Sequence, residues 1–323
     1  MMNLHRNPQK ENWTGRSTEA HAYWHQLVQL KEDLLLSHAE QRTVGLLGYA
    51  VEEGVRRNLG RVGTAAGPVA IRKILGALAY HLPYDLGMYD YGDILVHDDQ
   101  LEKTHDFVTD IVYQLLKTNH LPVLLGGGHD LAYAHGRAAL KYVSDNKKKL
   151  GIINLDAHFD LRPLVNGSAH SGSPFMQLAQ EFPNDFHYLV LGIQRAANPR
   201  SLFQTASELS CNYLEMESFH PGNWEMIQKS LQSFLNKVDH IYLSIDLDGF
   251  SSAYAPGVSA PSPLGFSPEL AFKVFDFLTG SKKIISMDVV EMNPSYDQDN
   301  ATARLAARCV EYLVRSIAQR SIY

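Results

Sequence analysis

The sequence predicts an α/β fold built on a mainly parallel β-sheet with helices on both faces. From residue 43 onward, short runs rich in Val, Ile and Leu alternate with amphipathic segments, and this alternation is typical of parallel sheets. The runs show little polar alternation, as expected of strands that are buried on both faces. Because no repeat, linker or composition shift divides the 323 residues, one large domain is favoured over two.

Six strands are predicted from these runs, at residues 43–47, 122–125, 151–155, 188–191, 241–245 and 283–289. Residues 101–120 repeat apolar side chains at helical spacing, which predicts an amphipathic helix. Ser267 followed by Pro268 predicts the start of another helix, because Ser caps helices well and Pro suits the first helical position. The last predicted helix covers residues 301–318.

Residues 1–40 are predicted to form an N-terminal extension that packs on a main domain of residues 41–323. The first residues are polar, and the following ones have a helical pattern in which five apolar side chains could form one stripe: Trp24, Leu27, Val28, Leu34 and Leu35. The start lacks the apolar core of a signal peptide. We therefore expect no cleaved leader.

Charge and cysteine content limit the possible partners and the compartment. The chain has 29 Lys and Arg against 35 Asp and Glu, a net charge of −6, which argues against nucleic acid as a partner. No run of 18 apolar residues occurs, so no membrane span is expected. Cys211 and Cys309 are isolated, as in reduced cytoplasmic proteins.

Metal-type side chains follow three of the predicted strands. Gly126, Gly127 and Gly128 lead into His129; without GxGxxG or Gly-Lys-Ser/Thr spacing, a phosphate-binding loop is the weaker interpretation. After the third strand, every second side chain of an extended segment would share one face, which groups Asp156, His158, Asp160 and Arg162. The fifth strand ends in Asp246 and Asp248.

The carboxyl ends of parallel strands meet at one sheet edge, so we expect four Asp and two His to form one metal site: His129, Asp156, His158, Asp160, Asp246 and Asp248. This donor set suits Mn²⁺, with Co²⁺, Zn²⁺ or Fe²⁺ as alternatives. Four carboxylates balance two divalent ions. A metal pair about 3.5–4 Å apart can bridge a water and lower its pKa towards about 7, which predicts hydrolysis by a bridging hydroxide.

The three motifs resemble those of the ureohydrolase superfamily of arginases and agmatinases. The similarity runs over residues 43–319 and rests on residues 127–130, 156–160 and 244–248. It implies a three-layer αβα sandwich, a homo-oligomer and two Mn²⁺ per subunit. By the same resemblance, one ion is held by His129, Asp156, Asp160 and Asp246, and the second by Asp156, His158, Asp246 and Asp248.

Within the superfamily, Arg162 and residues 60–68 and 170–175 resemble the formimidoylglutamase branch. That branch converts N-formimidoyl-L-glutamate and water to L-glutamate and formamide in histidine degradation. A guanidinium can grip a carboxylate with two hydrogen bonds and would repel cationic agmatine. Two alternatives stay open: urea release from agmatine, guanidinobutyrate or arginine, and a metal-binding paralogue without catalysis. Arg162 could also form a structural ion pair.

Four further residues are candidates for substrate contact or proton transfer. By resemblance, Glu291 holds the amidine group, while His170 or Asp160 gives a proton to the leaving amine; the alternatives are a structural acid and an ordinary loop histidine. Arg195 is a candidate for the second substrate carboxylate, against a plain surface role. Tyr254 lies in a long loop, residues 249–266, which is predicted to form a rim or lid over the site.

Overall fold

The computed structural model describes residues 4–19, 22–32, 34, 38–83 and 86–321, and ten strands within these ranges form one sheet. The strands are β1 (His5–Arg6), β2 (Gln29–Leu30), β3 (Thr43–Ala50), β4 (Met88–Leu95), β5 (His120–Leu125), β6 (Leu150–Leu155), β7 (Tyr188–Ile193), β8 (Asn212–Glu215), β9 (His240–Asp246) and β10 (Ile284–Val290).

The strand order is β1-β4-β3-β5-β10-β9-β6-β7-β8, with β2 also paired to β4. β1 runs antiparallel to β4, and every other pairing is parallel. The carboxyl ends of nine strands therefore lie at one edge of the sheet. This arrangement confirms the mainly parallel sheet.

Helices cover both faces of the sheet. They are α1 (Trp24–Leu27), α2 (Glu53–Arg57), α3 (Gly67–Gly76), α4 (Leu101–Lys117), α5 (Leu131–Asp145), α6 (Pro174–Glu181), α7 (Arg200–Glu208), α8 (Trp224–Leu235), α9 (Pro268–Gly280) and α10 (Ala301–Ser321). One apolar core contains side chains of α3, α8, α9 and α10, and the other contains those of α4 to α7. Leu46 and Leu47 of β3 enter opposite cores, because successive strand residues point to opposite faces. The three-layer sandwich is confirmed.

The six predicted strands correspond to β3, β5, β6, β7, β9 and β10. The prediction missed β4, which contains the buried acids Asp90 and Asp93. The buried Arg72 guanidinium lies 2.8 Å from an Asp90 oxygen and 2.5 Å from an Asp93 oxygen. These ion pairs make it possible for two acids to be buried in an interior strand. Because the two acids interrupt the apolar run, a search for apolar runs does not find this strand.

The predicted N-terminal helix is wrong over most of its length. Among the described residues of this stretch, only Trp24–Leu27 is helical, and Gln29–Leu30 forms a strand beside β4. Leu35 lies outside the described residues. Tertiary packing decides here, since Trp24 is fully buried against Tyr80. The division of the chain at residue 40 stays a prediction. None of the helices in the described ranges is long and apolar enough to cross a membrane.

Candidate active site

The candidate site lies at the carboxyl ends of four adjacent central strands, β5, β10, β9 and β6. His129 follows β5, and Glu291 follows β10. Asp246 ends β9, and Asp156 follows β6. The sheet order thus brings together residues that are far apart in the sequence, at the edge where open α/β sheets bind ligands.

Tight turns place the ligands of β5, β6 and β9. A Cβ on Gly127 would overlap the carbonyl oxygen of Val51, so a glycine is required where this loop passes β3. The backbone N–H of His158 donates to Asp156 Oδ1 at 2.7 Å, and that of Asp248 donates to Asp246 Oδ1 at 2.8 Å. In each turn an Asp thus fixes the residue two positions later.

Six metal-type side chains form two overlapping groups of possible ligands. One group contains His129, Asp156, Asp160 and Asp246, and the other contains Asp156, His158 and Asp248. Asp156 belongs to both, as predicted for a bridging ligand. Asp246 belongs only to the first, so its bridging role stays a prediction. The structure brings all six predicted ligands together.

Three carboxylate oxygens surround Nδ1 of His129. The distances from Nδ1 are 2.9 Å to Asp160, 2.9 Å to Asp246 and 3.3 Å to Asp156. His158 Nδ1 lies 3.4 Å from Asp156 and 3.3 Å from Asp248. A single N–H cannot satisfy three acceptors, whereas a cation at this position can. The residues therefore fit a metal centre.

A buried hydrogen-bond chain orients the His129 ring. Ser244 Oγ donates to Asp288 Oδ1 at 2.7 Å and lies 3.0 Å from His129 Nε2. Because the hydroxyl proton is used on Asp288, Ser244 Oγ accepts from the Nε2–H of His129. Neutral His129 then has its lone pair on Nδ1, the atom that faces the carboxylates, as a metal ligand requires.

The charges of the cluster also fit a divalent cation. Burial and the charges of Asp248 and Asp156 raise the pKa of Asp246 well above its usual range. Burial alone would lower the pKa of His129, but the carboxylates of Asp156, Asp160 and Asp246, which accept from the protonated ring, raise it well above the ordinary value. The protein alone can relieve this repulsion only by binding protons. A divalent ion would supply the positive charge directly.

The prediction that residues 156–162 are extended is wrong. β6 ends at Leu155, and Asp160 has a φ of 49°. Asp248 likewise lies in a 3₁₀ turn rather than on β9. The ligands converge because tight turns direct them, not because they alternate along a strand. Asp tolerates the left-handed backbone better than most residues, since its short side chain can bond locally.

Five of the six metal-type ligands, all except Asp156, line a pocket of about 290 Å³ that also contains Glu291. The backbone N–H of His129 donates to Glu291 Oε1 at 2.8 Å, while Oε2 is buried and has no hydrogen-bond partner among the described residues. Burial and the Asp248 charge raise the pKa of Glu291 to about 8. A larger cavity, about 350 Å³, includes Thr43 and Leu121 at the amino ends of the strands, away from this cluster.

Arg162 lines the same pocket as the metal-type ligands. Its Nη1 donates to Asn58 Oδ1 at 3.2 Å. No carboxylate within 4.0 Å pairs with it in the part of the chain that the structure describes. The alternative of a structural ion pair is therefore not favoured.

Three candidates lie outside the residues that line the pocket: His170, Arg195 and Tyr254. His170 is buried, with Nε2 3.1 Å from the carbonyl oxygen of Pro163 and Nδ1 accepting from the Gly172 N–H. Arg195 forms an ion pair with Glu215, and 47% of Tyr254 is exposed. The roles suggested for these residues stay predictions.

A model of the arginase family matches residues 42–315. The chain belongs to the arginase family. The formimidoylglutamase of Clostridium tetani (strain Massachusetts / E88) is 33% identical to it over 332 residues, which cover 99% of this chain and 98% of that protein. The predicted superfamily is thereby confirmed.

Solved structures of two formimidoylglutamases resemble this arginase-family chain. The enzyme from Bacillus subtilis subsp. subtilis str. 168 has a TM-score of 0.81 at 22% identity, with 94% of both chains covered, and shows the shared fold. Trypanosoma cruzi formiminoglutamase with Mn²⁺ has a TM-score of 0.77 at 26% identity and covers 88% of this chain and 98% of its own.

Sequence reasoning missed several residues of this arginase-family site. Asn58, Arg61 and Ser171 line the pocket, and Ser244 with Asp288 orients a ligand. Asn58 and Arg61 lie in the loop after α2. The strand before this helix, β3, carries none of the metal-type ligands, so the search at strand ends did not reach them. Two signals in the sequence were indirect. Arg61 and Ser171 lie in the stretches 60–68 and 170–175 that carry the resemblance, and Ser244 and Asp288 lie inside strands that are otherwise apolar.

Proposed function

We propose that this arginase-family protein hydrolyses N-formimidoyl-L-glutamate to L-glutamate and formamide, with two Mn²⁺ per subunit, in histidine degradation. Family membership makes the chain a hydrolase of C–N bonds in linear amidines. One observation carries the substrate assignment. Arg162 lines the pocket of the metal-type ligands and has no carboxylate partner among the described residues, so its guanidinium can bind a carboxylate of an acidic amidine.

Two divalent ions, when bound, supply an activated water and offset the charge of the four aspartates. His129, Asp156, Asp160 and Asp246 would hold one ion, and Asp156, His158 and Asp248 the other, with Asp246 proposed as a second bridge. The Mn²⁺ in the Trypanosoma cruzi structure supports manganese over the other candidate metals.

Glu291 is proposed to hold the formimidoyl group. Its Oε1 is fixed by the His129 N–H, which leaves the buried Oε2 to accept an N–H of the amidine. Part of the raised pKa of Glu291 comes from the charge of Asp248. Divalent ions would offset that charge and favour the ionised carboxylate in the metal-loaded protein. In a dry pocket this carboxylate binds a cationic amidinium more strongly than in water, because the surrounding dielectric is low. The contact would hold the reacting carbon over the metal-type ligands.

Asp160 is proposed to carry the proton that the departing glutamate amine requires. Its carboxylate lines the pocket, within reach of the reacting atoms. His170 remains the second candidate, but its ring nitrogens are engaged within its own loop. Arg195 and Tyr254 remain proposals for outer contacts with the second carboxylate and the substrate. Arg61 lines the pocket, but its guanidinium donates to the carbonyl oxygens of Ser259 and Val258.

A product assay tests the assignment. Protein loaded with Mn²⁺ is expected to release formamide and L-glutamate from N-formimidoyl-L-glutamate. Urea release from agmatine, guanidinobutyrate or arginine at a higher kcat/KM would instead support the alternative substrate class. Two bound metal equivalents without either product would support a non-catalytic metal-binding protein.

We further propose a homo-oligomer that works in the cytoplasm. The oligomer is inferred from the superfamily resemblance, and sedimentation of the metal-loaded protein tests it. The compartment is supported by the two cysteines, which are both free thiols. Fractionation of cells that express the chain tests the compartment.

A further inference from the structure

We propose that Ser171 and Asn58 complete the carboxylate site of Arg162, with Ser171 donating to the same substrate carboxylate and Asn58 positioning both donors. The inference rests on the proposed function and names further residues of its substrate site. All three residues line the pocket that contains the metal-type ligands.

Hydrogen bonds join the three side chains in a row. Arg162 Nη1 donates to Asn58 Oδ1 at 3.2 Å, and Asn58 Nδ2 donates to Ser171 Oγ at 3.1 Å. The amide oxygen of Asn58 thus accepts from the arginine, and its amide nitrogen donates to the serine. Because Ser171 Oγ accepts from Asn58, its own proton is left to donate. The row presents the remaining guanidinium N–H groups and one O–H, which suits a carboxylate with two acceptor oxygens.

Backbone hydrogen bonds hold these side chains in place before a ligand binds. The Gly54 carbonyl oxygen accepts from the N–H of Asn58 and from that of Ser171, each at 3.0 Å. The Arg162 N–H donates to the Gly172 carbonyl oxygen at 2.9 Å. Two loops are therefore fixed to the end of α2. Such preorganisation reduces the entropy that is lost on binding.

Residue 172 packs closely against this row. A Cβ on Gly172 would lie 3.2 Å from Arg162 Cδ and 3.3 Å from Asn58 Nδ2. Both distances are shorter than an ordinary van der Waals contact, so Gly172→Ala would press on the arginine and the asparagine together. The same glycine supplies the carbonyl that fixes the Arg162 backbone.

The Asn58 side chain carries no charge, and this affects how Arg162 can bind a ligand. An acid at this position would form an ion pair with Arg162 and compete with the substrate carboxylate. An amide orients the guanidinium without neutralising it. The cation remains available to an anionic ligand, in a pocket whose other charged groups are mostly carboxylates.

Steady-state kinetics of metal-loaded Asn58→Ala test the positioning role. The matched control is Asn146→Ala, since Asn58 ends α2 and Asn146 ends α5 with similar backbone angles. We expect Asn58→Ala to raise KM for N-formimidoyl-L-glutamate about 10–100-fold, as for a lost hydrogen bond to a charged group, with little change in kcat. Equal effects of the two variants would overturn the inference.

A double-mutant cycle separates positioning from a general structural effect. If Asn58 acts through Arg162, the Asn58→Ala change should add little to the KM of Arg162→Met. Ser171→Ala should raise KM by itself and should leave kcat/KM for an N-alkylformamidine without a carboxylate unchanged. Full additivity in the cycle, or an equal loss with the substrate that lacks a carboxylate, would contradict the proposal.

Calorimetry with glutarate distinguishes this inference from the proposed function. Glutarate should bind the metal-loaded protein more tightly than glutaramide, and Asn58→Ala should remove that preference. If the protein releases no formamide but shows this preference, the proposed function fails and the carboxylate site stands. If it releases formamide and Asn58→Ala changes neither KM nor glutarate binding, the inference fails alone.

Discussion

Glu291 combines an unusual backbone conformation with a partly used carboxylate. Its φ is 65°, a region that is uncommon for residues other than glycine and that can store about 1–3 kcal/mol. The Glu291 N–H donates to the Gly127 carbonyl oxygen at 2.8 Å, and Oε1 accepts from the His129 N–H. The fold thus maintains a strained residue next to the metal-type ligands and leaves Oε2 without a hydrogen-bond partner among the described residues.

Glu291→Gln is expected to lower kcat about 10²–10³-fold, because the variant has nearly the same shape but loses the charge that holds the amidine. Steady-state kinetics measure the loss, and metal analysis should still find both ions. Glu269→Gln, at the exposed start of α9, is the control. Activity within two-fold of the control would exclude the assigned role.

Arg162→Met should raise KM for N-formimidoyl-L-glutamate about 10–100-fold, because a charge-assisted pair with the carboxylate is lost. The KM for an N-alkylformamidine without a carboxylate should change little. The exposed Arg304 provides the control Arg304→Met. Arg195→Met, measured beside them, tests the remaining prediction for Arg195. A uniform loss on substrates with and without a carboxylate would contradict carboxylate binding by Arg162.

At the scale of elements, β9 and β10 together orient the ring of His129, one of the predicted metal ligands. Ser244 of β9 lies between His129 and Asp288 of β10. Asp288 Oδ2 also accepts from the Tyr242 hydroxyl at 2.5 Å and lies 2.7 Å from Nδ1 of His135. This buried acid is thus held by two strands and α5. The orientation of His129 depends on the packing of three elements.

Ser244→Ala should weaken Mn²⁺ binding about 10–100-fold, because the Nε2–H of His129 loses its acceptor. Titration followed by electron paramagnetic resonance measures the affinity without requiring turnover. Ser286→Ala is the matched control, since Ser286 of β10 is also fully buried and its Oγ has no hydrogen-bond partner among the described residues. Equal Mn²⁺ affinities of the two variants would exclude this role for Ser244.

The sequence predicts the elements whose apolar runs are unbroken and fails where tertiary contacts decide. Buried central strands such as β6 and β9 are recognisable locally. β4 is not, because a distant Arg72 compensates its acids. The metal-type ligands were predictable, since carboxylates and imidazoles at strand ends share one edge. Asn58 was not, because its role depends on contacts with Arg162 and Ser171, more than 100 positions away.

At the scale of the whole molecule, the edge of the sheet is held by a buried charge network. Arg72 of α3 pairs with Asp90 and Asp93. Arg6 donates to Asp93 at 2.7 Å, and Trp13 donates to Asp90 at 2.7 Å. The N-terminal segment is thereby fixed to β4. The network lies on strands that carry none of the six metal-type ligands, so its effect on stability can be measured separately from catalysis.

Asp93 should make unfolding acid-dependent. Burial by itself raises its pKa, but the charges and hydrogen bonds of Arg72 and Arg6 outweigh burial and hold the pKa below its usual value. The stabilisation is therefore complete above about pH 3.9, the pKa of an unfolded Asp, and is lost as the pH falls through the lower folded value.

Asp93→Asn should lower the free energy of unfolding at pH 6 by about 3–5 kcal/mol, because a buried pair loses one partner. Its stability should also fall less than that of the natural protein as the pH falls below about 4. Urea denaturation at several pH values measures both effects. The same acid dependence in the two proteins would exclude Asp93 as its source.

The Gly54 carbonyl oxygen accepts from the N–H groups of Asn58 and Ser171, and this fixed arrangement limits the length of substrate that the site can bind. Because the backbone fixes Asn58 and Ser171, and the strands fix His129 and Glu291, the carboxylate donors and the reacting centre do not adjust independently. A homologue of formimidoylglutamate with one methylene fewer or more would have to give up one of the two contacts. The enzyme would then select its substrate by the span between amidine and carboxylate as well as by charge.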